Sequence, residues 1–334
     1  MKVSVVCPFF NEETIIVEAV QRMGEYLTSI PGDIELIVVN DGSTDDGLAR
    51  LIETLEDIST AVNIKVLSYP DNRGRGHALR AGIKEAKGDI IVTTEVDLSW
   101  GNDIVHRLVS ALEDNPGYHF VVASPHQTGG GFKEVPRSRI LLSYLGNLAL
   151  RTALSLGVTM HTGMTRAYRR GVIQPLQTIA TEKDFHLEVL LKLISLGFRC
   201  KEIPATISWE FRSSRQKSRH KVNSTVPLKT IGSHLLFLSI SQPVRYFSLF
   251  SLLSFLISVV FLTAAILRLM DGGVAIYMAL LAALMLLFST IFYGFSAIFS
   301  QLSGIMRAQW ASSYPNNGEE FNSPARIVAA QPPD

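Results

Sequence analysis

Two long stretches without a charged residue restrict the architecture of this chain more than any other feature. They run from Tyr246 to Leu267 and from Gly272 to Met306, and each exceeds the roughly 20 apolar residues that cross the hydrocarbon core of a bilayer. Both lie far from the N-terminus, so neither is a signal peptide, and buried core helices rarely run uncharged for so long. The sequence therefore predicts two transmembrane helices, at about 246–267 and 274–300, in a multi-pass protein of a lipid bilayer.

The cations that flank these stretches predict the orientation of the chain in the membrane. Lys217, Arg219, Lys221, Lys229 and Arg245 precede the first stretch, and Arg307 follows the second. The connecting turn holds Arg268 but also Asp271. Because cytoplasmic flanks carry an excess of Lys and Arg, we expect the N-terminal domain and both termini to be cytoplasmic, in a cell membrane or an endoplasmic-reticulum-type membrane. Cys7 and Cys200 fit this reducing compartment.

Composition divides the chain into four segments. We expect a cytoplasmic domain at 1–212, a basic juxtamembrane helical segment at 213–242, the membrane hairpin at 243–307 and a disordered tail at 308–334. Lys and Arg number 31 against 30 Asp and Glu, which leaves a formal net charge of +1 and predicts no nucleic-acid partner. The apolar hairpin also offers surfaces for self-association into a homo-oligomer.

Strand-like and helix-like segments alternate over the first 124 residues. Apolar, β-branched runs at 2–10, 34–39, 64–67, from Gly88 onward, and at 118–124 read as strands, with helical patterns between them. Further strands are predicted at 165–169 and 203–209. This alternation predicts an α/β fold with a mostly parallel sheet covered on both faces. In such sheets ligands bind outside the carboxyl ends of the strands.

Three polar clusters fall at those strand ends. They are Asn11-Glu12, Asp41-Gly42-Ser43 and Glu95-Val96-Asp97. Residues two apart in a strand point to the same side, so Glu95 and Asp97 can converge on one ligand, and paired carboxylates suit a divalent cation and its phosphates. An acidic loop where the strand meets solvent is the alternative. Asp41-Gly-Ser alone is typical of a turn and helix cap, so the coincidence of the three clusters carries the argument.

Cations recur in the part of the domain that follows. Arg137 and Arg139 begin a predicted helix at 135–156, where positive charge opposes the helix dipole. An anionic ligand and a solvated face both account for them. The glycine-rich run 72–76 resembles an anion-binding loop at a helix start, although flexible glycine loops are common. The basic run 212–221 fits either anionic headgroups or a membrane-borne phosphate substrate.

Several motifs occur together and in a recognisable order. They are Pro8-Phe9-Phe10-Asn11-Glu12-Glu13, Val39-Asn40-Asp41-Gly42-Ser43-Thr44-Asp45, Asn72-Arg73-Gly74-Arg75-Gly76 and Gly88-Asp89 ahead of the acidic pair. Together they resemble the family 2 glycosyltransferases of the dolichol-phosphate mannosyltransferase and polyprenyl-phosphate glycosyltransferase branch. Arg139 ahead of Ser143 and Thr162-Gly163 before Arg166 also fit, whereas no QxxRW sequence of the processive synthases occurs. The resemblance implies a Rossmann-like nucleotide-sugar-binding domain of GT-A type.

The resemblance also implies roles for individual residues. The residues expected to bind the nucleotide sugar are Pro8, Phe10, Glu12, Val39, Asp41, Glu95, Val96 and Asp97. Asp41 would contact the base or ribose. Glu95 and Asp97 stand at the Asp-x-Asp pair of the family and Ser99 at a common Gln, a cluster that holds Mg²⁺ or Mn²⁺ against the donor diphosphate. Asp97 and Arg139 would be catalytic. Arg139 together with Arg212, Arg215 and Lys217 would bind the acceptor phosphate or the diphosphate.

The expected activity is inverting transfer of a hexose from a nucleotide-diphosphate sugar to a polyprenyl phosphate of dolichyl or undecaprenyl type. The chain departs from the family pattern at Glu95 and Ser99, at Pro125 or His126 in place of an arginine, and at Met160 in place of an acid. These departures motivate one alternative, a catalytically silent relative that binds nucleotide sugar or lipid. A second alternative is transfer to a hydroxyl, which requires a general base such as Asp184 or Glu188.

Overall fold

The structure is a computed structural model that describes residues 1–55, 58, 62–97, 99–101, 103–154, 157–182, 184–209 and 243–314. The described residues form two compact units. One contains the described residues up to Trp209 except 152–154, together with the segment from Trp310 to Tyr314. The other contains residues 152–154 and the helical residues from Pro243 to Gln309. The first is called the catalytic unit below and the second the helical hairpin.

The catalytic unit contains nine strands and seven helices among its described residues. The strands are β1 (Lys2–Phe9), β2 (Asp33–Asn40), β3 (Asn63–Ser68), β4 (Ile90–Thr93), β5 (Phe120–Ser124), β6 (Gly131–Lys133), β7 (Arg166–Arg169), β8 (Cys200–Pro204) and β9 (Thr206–Ser208). The helices are α1 (Ile16–Thr28), α2 (Gly47–Thr54), α3 (Arg75–Glu85), α4 (Ile104–Glu113), α5 (Arg137–Leu154), α6 (Arg170–Ile173) and α7 (Phe185–Ser195).

Seven strands form one sheet in the order β3-β2-β1-β4-β7-β5-β8. All neighbours in it pair in parallel except β7, which runs antiparallel to both β4 and β5. The predicted α/β fold with a mostly parallel sheet is confirmed, with one antiparallel strand inserted. The predicted strand at 203–209 is divided at Pro204–Ala205, because β8 ends the main sheet whereas β9 pairs with β6 in a separate two-stranded sheet.

Both faces of the sheet are covered, as near-continuous apolar strands require. Alternate side chains of β1 enter opposite cores: Val5 packs with α1 and α4 on one face, and Val6 packs with α3 and α7 on the other. This arrangement places β2, β1 and β4 side by side at the centre of the sheet, and their carboxyl ends meet at one edge.

Gly82 sets the distance between α3 and the sheet. A Cβ at this position would lie 2.3 Å from Val6 Cγ1 and 3.1 Å from Val39 Cγ2, both in rigid strands. We expect Gly82→Ala to destabilise the catalytic unit by about 1–3 kcal/mol through overpacking. The matched control is Gly171→Ala in α6, where a Cβ meets nothing within 4 Å. This variant should not lower the free energy of unfolding. Thermal unfolding of the purified protein followed by tryptophan fluorescence measures both, and equal melting temperatures would contradict the packing argument.

The helical hairpin consists of α8 (Pro243–Met270) and α9 (Ile276–Ala311), which are long and apolar enough to cross a membrane. The helix α8 extends past both ends of the predicted span 246–267, whereas α9 begins after the predicted start at 274 and continues past 300 to Ala311. Small buried residues recur every seven positions along the contact: Ser251, Ser258 and Ala265 on α8, and Ala282, Ser289 and Ser296 on α9. Hydroxyl groups donate hydrogen bonds between the two helices in both directions, from Ser251 Oγ to Ser289 O at 3.0 Å and from Ser289 Oγ to Ser251 O at 2.9 Å. Small residues with interhelical hydrogen bonds are typical of helices packed in lipid.

Residues 308–314 are structured, although a disordered tail is predicted at 308–334. The helix α9 continues to Ala311. Tyr314 is buried, its Oη donates to Val172 O at 2.7 Å, and its ring packs against Phe198. The prediction is therefore wrong for residues 308–314, because apolar side chains of this segment complete a core of the catalytic unit. Residues 315–334 lie outside the described part of the chain.

Candidate functional site

A cavity of about 250 Å³ opens at the carboxyl ends of the three central strands. It is lined by Pro8, Phe9, Phe10, Glu12, Asp41, Arg75, Glu95, Val96, Asp97 and Met164. The fold thus brings together all of the residues predicted to bind the nucleotide sugar except Val39. Val39 is fully buried in β2 and packs in the core beneath α3, so it does not line the cavity.

Asp41 is a carboxylate held from several sides. Its Oδ1 accepts hydrogen bonds from Tyr69 Oη at 2.6 Å and from Arg73 N at 3.0 Å, and its Oδ2 accepts one from Asn72 Nδ2 at 3.2 Å. Burial, followed by the hydrogen bond and charge of Asp41, raises the pKa of Tyr69, so the phenol remains a donor at neutral pH. Asp41 is therefore fixed in orientation at the cavity wall. Tyr69 was missed from the sequence, since an isolated tyrosine after a strand carries no motif.

The acidic pair lies at the end of β4, and its two members have different surroundings. Glu95 Oε2 accepts hydrogen bonds from Trp100 Nε1 and, at 3.1 Å, from Ser99 Oγ. Asp97 Oδ1 accepts one from Ser99 N at 3.2 Å. Burial, and then the neighbouring Asp97 carboxylate, raises the pKa of Glu95. Ser99 acts here as a donor to both acids, and Trp100 is a contact of the pair that sequence reasoning did not include.

These two carboxylates fit a divalent cation by their chemistry. They supply the oxygen ligands that Mg²⁺ and Mn²⁺ prefer. Burial, and after it the charge of Asp97, raises the pKa of Glu95, and a cation between the two acids would offset both effects. Among the described residues no group of three or more His, Cys, Asp or Glu side chains is placed to hold a metal. A cation here would therefore take the rest of its oxygen ligands from a bound diphosphate and water, the usual mode for Mg²⁺.

The glycine-rich loop 72–76 packs closely against a neighbouring segment and places an arginine side chain at the cavity. A Cβ on Gly74, whose φ is +89°, would lie 2.5 Å from Thr181 O, and Gly76 N donates to that same oxygen at 2.6 Å. The Gly76 amide is therefore engaged within the protein, which argues against a backbone anion cradle at this residue. The loop contributes Arg75 instead, whose side chain lines the cavity at the start of α3.

Arg139 lies outside the cavity wall. It is exposed on α5 with its guanidinium over the ring of Trp209, 5.0 Å from the centroid. One turn further along, Ser143 Oγ lies 3.1 Å from His126 Nε2, and burial lowers the pKa of that imidazole. Arg139 and Ser143 share one face of the helix. The other predicted acceptor residues, Arg212, Arg215 and Lys217, lie outside the described residues.

The candidate general base Glu188 is engaged elsewhere. Its carboxylate accepts hydrogen bonds from Ile179 N at 3.0 Å and Ala180 N at 2.8 Å, and it pairs with Lys192 at 2.7 Å. It therefore fastens the loop before α7 to that helix. Neither Glu188 nor Asp184 is among the residues that line the cavity.

Arg166 organises the turn that leads into β7. Its side chain is 0% exposed and donates to Gly163 O at 2.8 Å, His186 O at 2.8 Å and His161 O at 2.6 Å. Burial and then the charge of Arg166 lower the pKa of His161 to about 4, so this imidazole is neutral at pH 7. The turn places Met164 in the cavity wall.

Comparison with known proteins decides the family. The sequence model described as Glycosyl transferase family 2 matches residues 4–176, which is just over half of the chain and contains every cavity-lining residue. The chain belongs to glycosyltransferase family 2. The resemblance noted from the motifs is thereby confirmed.

Relatives of this family 2 chain include two proteins named for lipid-phosphate acceptors. The undecaprenyl-phosphate 4-deoxy-4-formamido-L-arabinose transferase of Pseudomonas fluorescens (strain Pf0-1) is 29% identical over 183 residues, 55% of this chain and 51% of the relative. The dolichol-phosphate mannosyltransferase of Pyrococcus furiosus is 30% identical over 154 residues, 46% and 42% of the two chains. The chain thus spans about half the length of the curated relatives it matches.

Solved structures confirm the GT-A fold of this family 2 chain. Glucosyl-3-phosphoglycerate synthase from Mycobacterium tuberculosis, in complex with Mn²⁺, UDP and glucosyl-3-phosphoglycerate, superposes with a TM-score of 0.51 at 22% identity, covering 71% of this chain and 79% of that one. Its complex with Mg²⁺ and UDP gives a TM-score of 0.51 at 21% identity over the same shares. At this identity the similarity establishes the fold.

Proposed function

We propose that this chain transfers a hexose, with inversion, from a nucleotide-diphosphate sugar to a polyprenyl phosphate at the cytoplasmic face of a membrane. The observation that carries the proposal is the single cavity in which Asp41, Arg75 and the acidic pair meet. In such a cavity one ligand can meet the hydrogen-bond acceptor Asp41, the positive charge of Arg75 and a pair of carboxylates able to bind a metal. The names of the undecaprenyl-phosphate and dolichol-phosphate relatives support the choice of acceptor.

The donor nucleotide is assigned to the side of the cavity formed by β1 and β2. Asp41, held by Tyr69 and Asn72, accepts hydrogen bonds from the base or ribose. Phe10, 42% exposed at the cavity, offers an apolar ring to the same part of the donor, and Pro8 and Glu12 complete this wall. Because Asp41 is already oriented by the protein, little reorganisation is needed when the nucleotide binds.

The diphosphate is assigned to the side formed by Arg75 and the acidic pair. Asp97, with Glu95 beside it, would hold Mg²⁺ or Mn²⁺, and Ser99 supports the two acids from behind. A bound divalent cation supplies charge neutralisation to the leaving diphosphate. Arg75 supplies a fixed positive charge from the protein itself, which stabilises the charge that develops as the glycosidic bond breaks.

The transfer itself is a direct displacement. An oxygen of the acceptor phosphate forms a bond to the anomeric carbon while the bond to the diphosphate oxygen breaks, and its electron pair leaves with the nucleoside diphosphate. The acceptor phosphate is already anionic at pH 7, so it needs positioning more than deprotonation. The engagement of Glu188 with a backbone loop agrees with a reaction that uses no general base there, and it speaks against a hydroxyl acceptor.

The acceptor phosphate is assigned to the face of α5 that carries Arg139 and Ser143. His126 lies beside Ser143. Pro125 or His126 stands where the family has an arginine near the donor phosphates, so the donor side has one cation fewer. Arg212, Arg215 and Lys217 remain proposed contributors. The membrane orientation stays part of the proposal, with the catalytic unit and both termini cytoplasmic, and so does a homo-oligomer formed through the hairpin.

A donor screen tests the proposed function. Full-length protein in nanodiscs is incubated with undecaprenyl or dolichyl phosphate, a panel of UDP- and GDP-sugars, and Mg²⁺ or Mn²⁺, and lipid products are scored by mass spectrometry. We expect a hexosyl-phospholipid together with a stoichiometric nucleoside diphosphate, and loss of both with EDTA. Nucleotide binding by calorimetry without any product across the panel would instead establish a catalytically silent protein.

Tyr69→Phe tests the donor assignment separately from catalysis. Loss of one hydrogen bond to Asp41 is worth about 1 kcal/mol, so the KM for the nucleotide sugar should rise roughly fivefold with little change in kcat. Tyr118→Phe is the control, since Tyr118 lies just before β5 with its ring against the Arg199 guanidinium, and it is not among the residues that line the cavity. A Tyr69→Phe variant with an unaltered KM and an unaltered calorimetric affinity for the nucleotide would remove Asp41 from the donor site.

A further inference from the structure

Trp209 holds the side chain of Arg139, and the proposed function gives this tryptophan no role. Its indole ring lies against the Arg139 guanidinium, whose central carbon is 5.0 Å from the ring centroid. In the described part of the chain, no ion pair within 4.0 Å joins Arg139 to a carboxylate. A carboxylate would neutralise the guanidinium, whereas the face of an aromatic ring attracts it and leaves its positive charge in place. Trp209 therefore orients Arg139 without neutralising it.

The backbone of Trp209 is itself held near the start of α5. Trp209 directly follows β9, and its N–H donates to Lys133 O, at the end of β6, at 3.2 Å. The chain then passes from β6 through residues 134–136 into α5, which carries Arg139. The parallel pairing of β6 with β9 thus brings the indole ring next to a guanidinium that is distant in the sequence.

The residue before Trp209 is bonded to the loop that carries the acidic pair. Ser208 N donates to Ser99 O at 2.7 Å, and Ser99 N donates to Asp97 Oδ1 at 3.2 Å. Two successive residues at the end of β9 are thus connected to Asp97, through Ser99, and to Arg139. A displacement requires the acceptor phosphate and the donor diphosphate to be held at a set separation. This connection joins the residues assigned to those two groups.

We propose that Trp209 is a positioning residue for the acceptor phosphate. Its ring holds the Arg139 guanidinium where the phosphate of the lipid binds, so the cation needs little reorganisation when the acceptor arrives. The inference rests on the proposed function, since it takes Arg139 to be a ligand of that phosphate. In this role Trp209 acts through Arg139, which distinguishes it from an apolar contact with the isoprenoid chain.

Binding of a lipid phosphate measures this role without any sugar transfer. Full-length protein in detergent is titrated by calorimetry with farnesyl phosphate, and with farnesol as the uncharged reference. Trp209 is half-buried and is not among the buried side chains of either core, so its substitution should leave the fold intact. We expect Trp209→Leu to weaken binding of farnesyl phosphate roughly fivefold, the strength of a partly exposed cation–π contact. Binding of farnesol and of the donor nucleotide should not change.

Two further variants control for the loss of an aromatic ring. Trp209→Phe keeps an aromatic face and should weaken binding of farnesyl phosphate by only about twofold. Trp310→Leu is the matched control, because Trp310 makes the same contact at the same 5.0 Å distance with Lys192 and does not line the cavity. It should leave binding of farnesyl phosphate unchanged, and an equal loss in Trp310→Leu and Trp209→Leu would overturn the inference.

A double-substitution cycle tests whether Trp209 acts through Arg139. Arg139→Gln should weaken binding of farnesyl phosphate about tenfold or more, because a charge-assisted hydrogen bond is lost. Adding Trp209→Leu to that variant should change the affinity no further, since the two residues then act as one unit. Additive losses would overturn the inference, and so would an equal loss of farnesol binding in Trp209→Leu.

The pattern of losses separates this inference from the proposed function. Weaker binding in Arg139→Gln with unaltered binding in Trp209→Leu would retain the acceptor assignment and refute the role of Trp209. Unaltered binding in both variants would refute the acceptor assignment and the inference together. If the donor screen yields no product but Trp209→Leu binds farnesyl phosphate fivefold more weakly, Trp209 positions Arg139 in a protein that binds lipid phosphate without transferring sugar.

Discussion

Asp97→Asn is expected to lower kcat/KM for sugar transfer by roughly 10²–10³-fold, the cost of removing one strong electrostatic contribution to the transition state. Asn keeps the size of Asp97 and its oxygen acceptor for Ser99 N, so the fold should be unaffected. It removes the negative charge that would hold a divalent cation against the diphosphate. Initial rates at saturating Mn²⁺, with the Mn²⁺ affinity measured by electron paramagnetic resonance, test both parts of this expectation.

Glu95→Gln is the matched variant, and it should be much milder, with a loss of about tenfold or less. Glu95 is already tied to Trp100 and Ser99 through one oxygen, and burial beside Asp97 raises its pKa, so its charge is the less available of the two. Equal losses in the two variants would mean that both acids bind the cation equally. Unchanged transfer and unchanged Mn²⁺ affinity in Asp97→Asn would remove the proposed metal site.

The cavity was predictable where topology alone brings residues together. Asp41 and Asp97 follow strands whose carboxyl ends meet in any parallel sheet, so motif order along the chain sufficed to place them in one site. Val39 was placed in the donor site by the family resemblance, and its side chain packs under α3 instead, because a motif position does not tell which alternate side chain of a strand faces the cavity. Gly82 packs a helix against Val39, and that contact joins positions 43 residues apart in the chain.

The remaining features depend on contacts that no local pattern encodes. Tyr69 reaches Asp41 across 28 positions. The antiparallel strand β7 enters between β4 and β5 only through pairing with both. The sequence predicted that α5 is a helix, but it did not predict which of its faces is buried. Asn147 is buried because its Oδ1 accepts a hydrogen bond from His161 N, in the turn before β7.

Arg166→Met is expected to destabilise the catalytic unit by about 3 kcal/mol, because each buried carbonyl left without its donor costs about 1–3 kcal/mol. This one guanidinium donates to three carbonyls, those of Gly163, His186 and His161. Among the described residues no carboxylate pairs with it within 4.0 Å. No ion pair is therefore lost, and the loss of the hydrogen bonds makes the substitution destabilising. Relief from burying an unpaired charge offsets part of the cost, which is why the expected total is below the sum over three carbonyls.

A destabilisation of that size lowers the melting temperature by roughly 6–12 °C for a domain of about 200 residues. Arg166→Lys should fall between wild type and Arg166→Met, since an ammonium keeps the charge but cannot direct three donors in the planar arrangement of a guanidinium. Thermal unfolding of the three proteins in the same detergent gives the order. A melting temperature of Arg166→Met within 2 °C of wild type would show that the turn before Met164 holds its shape without these hydrogen bonds. Activity should follow the same order, because that turn places Met164 in the cavity wall.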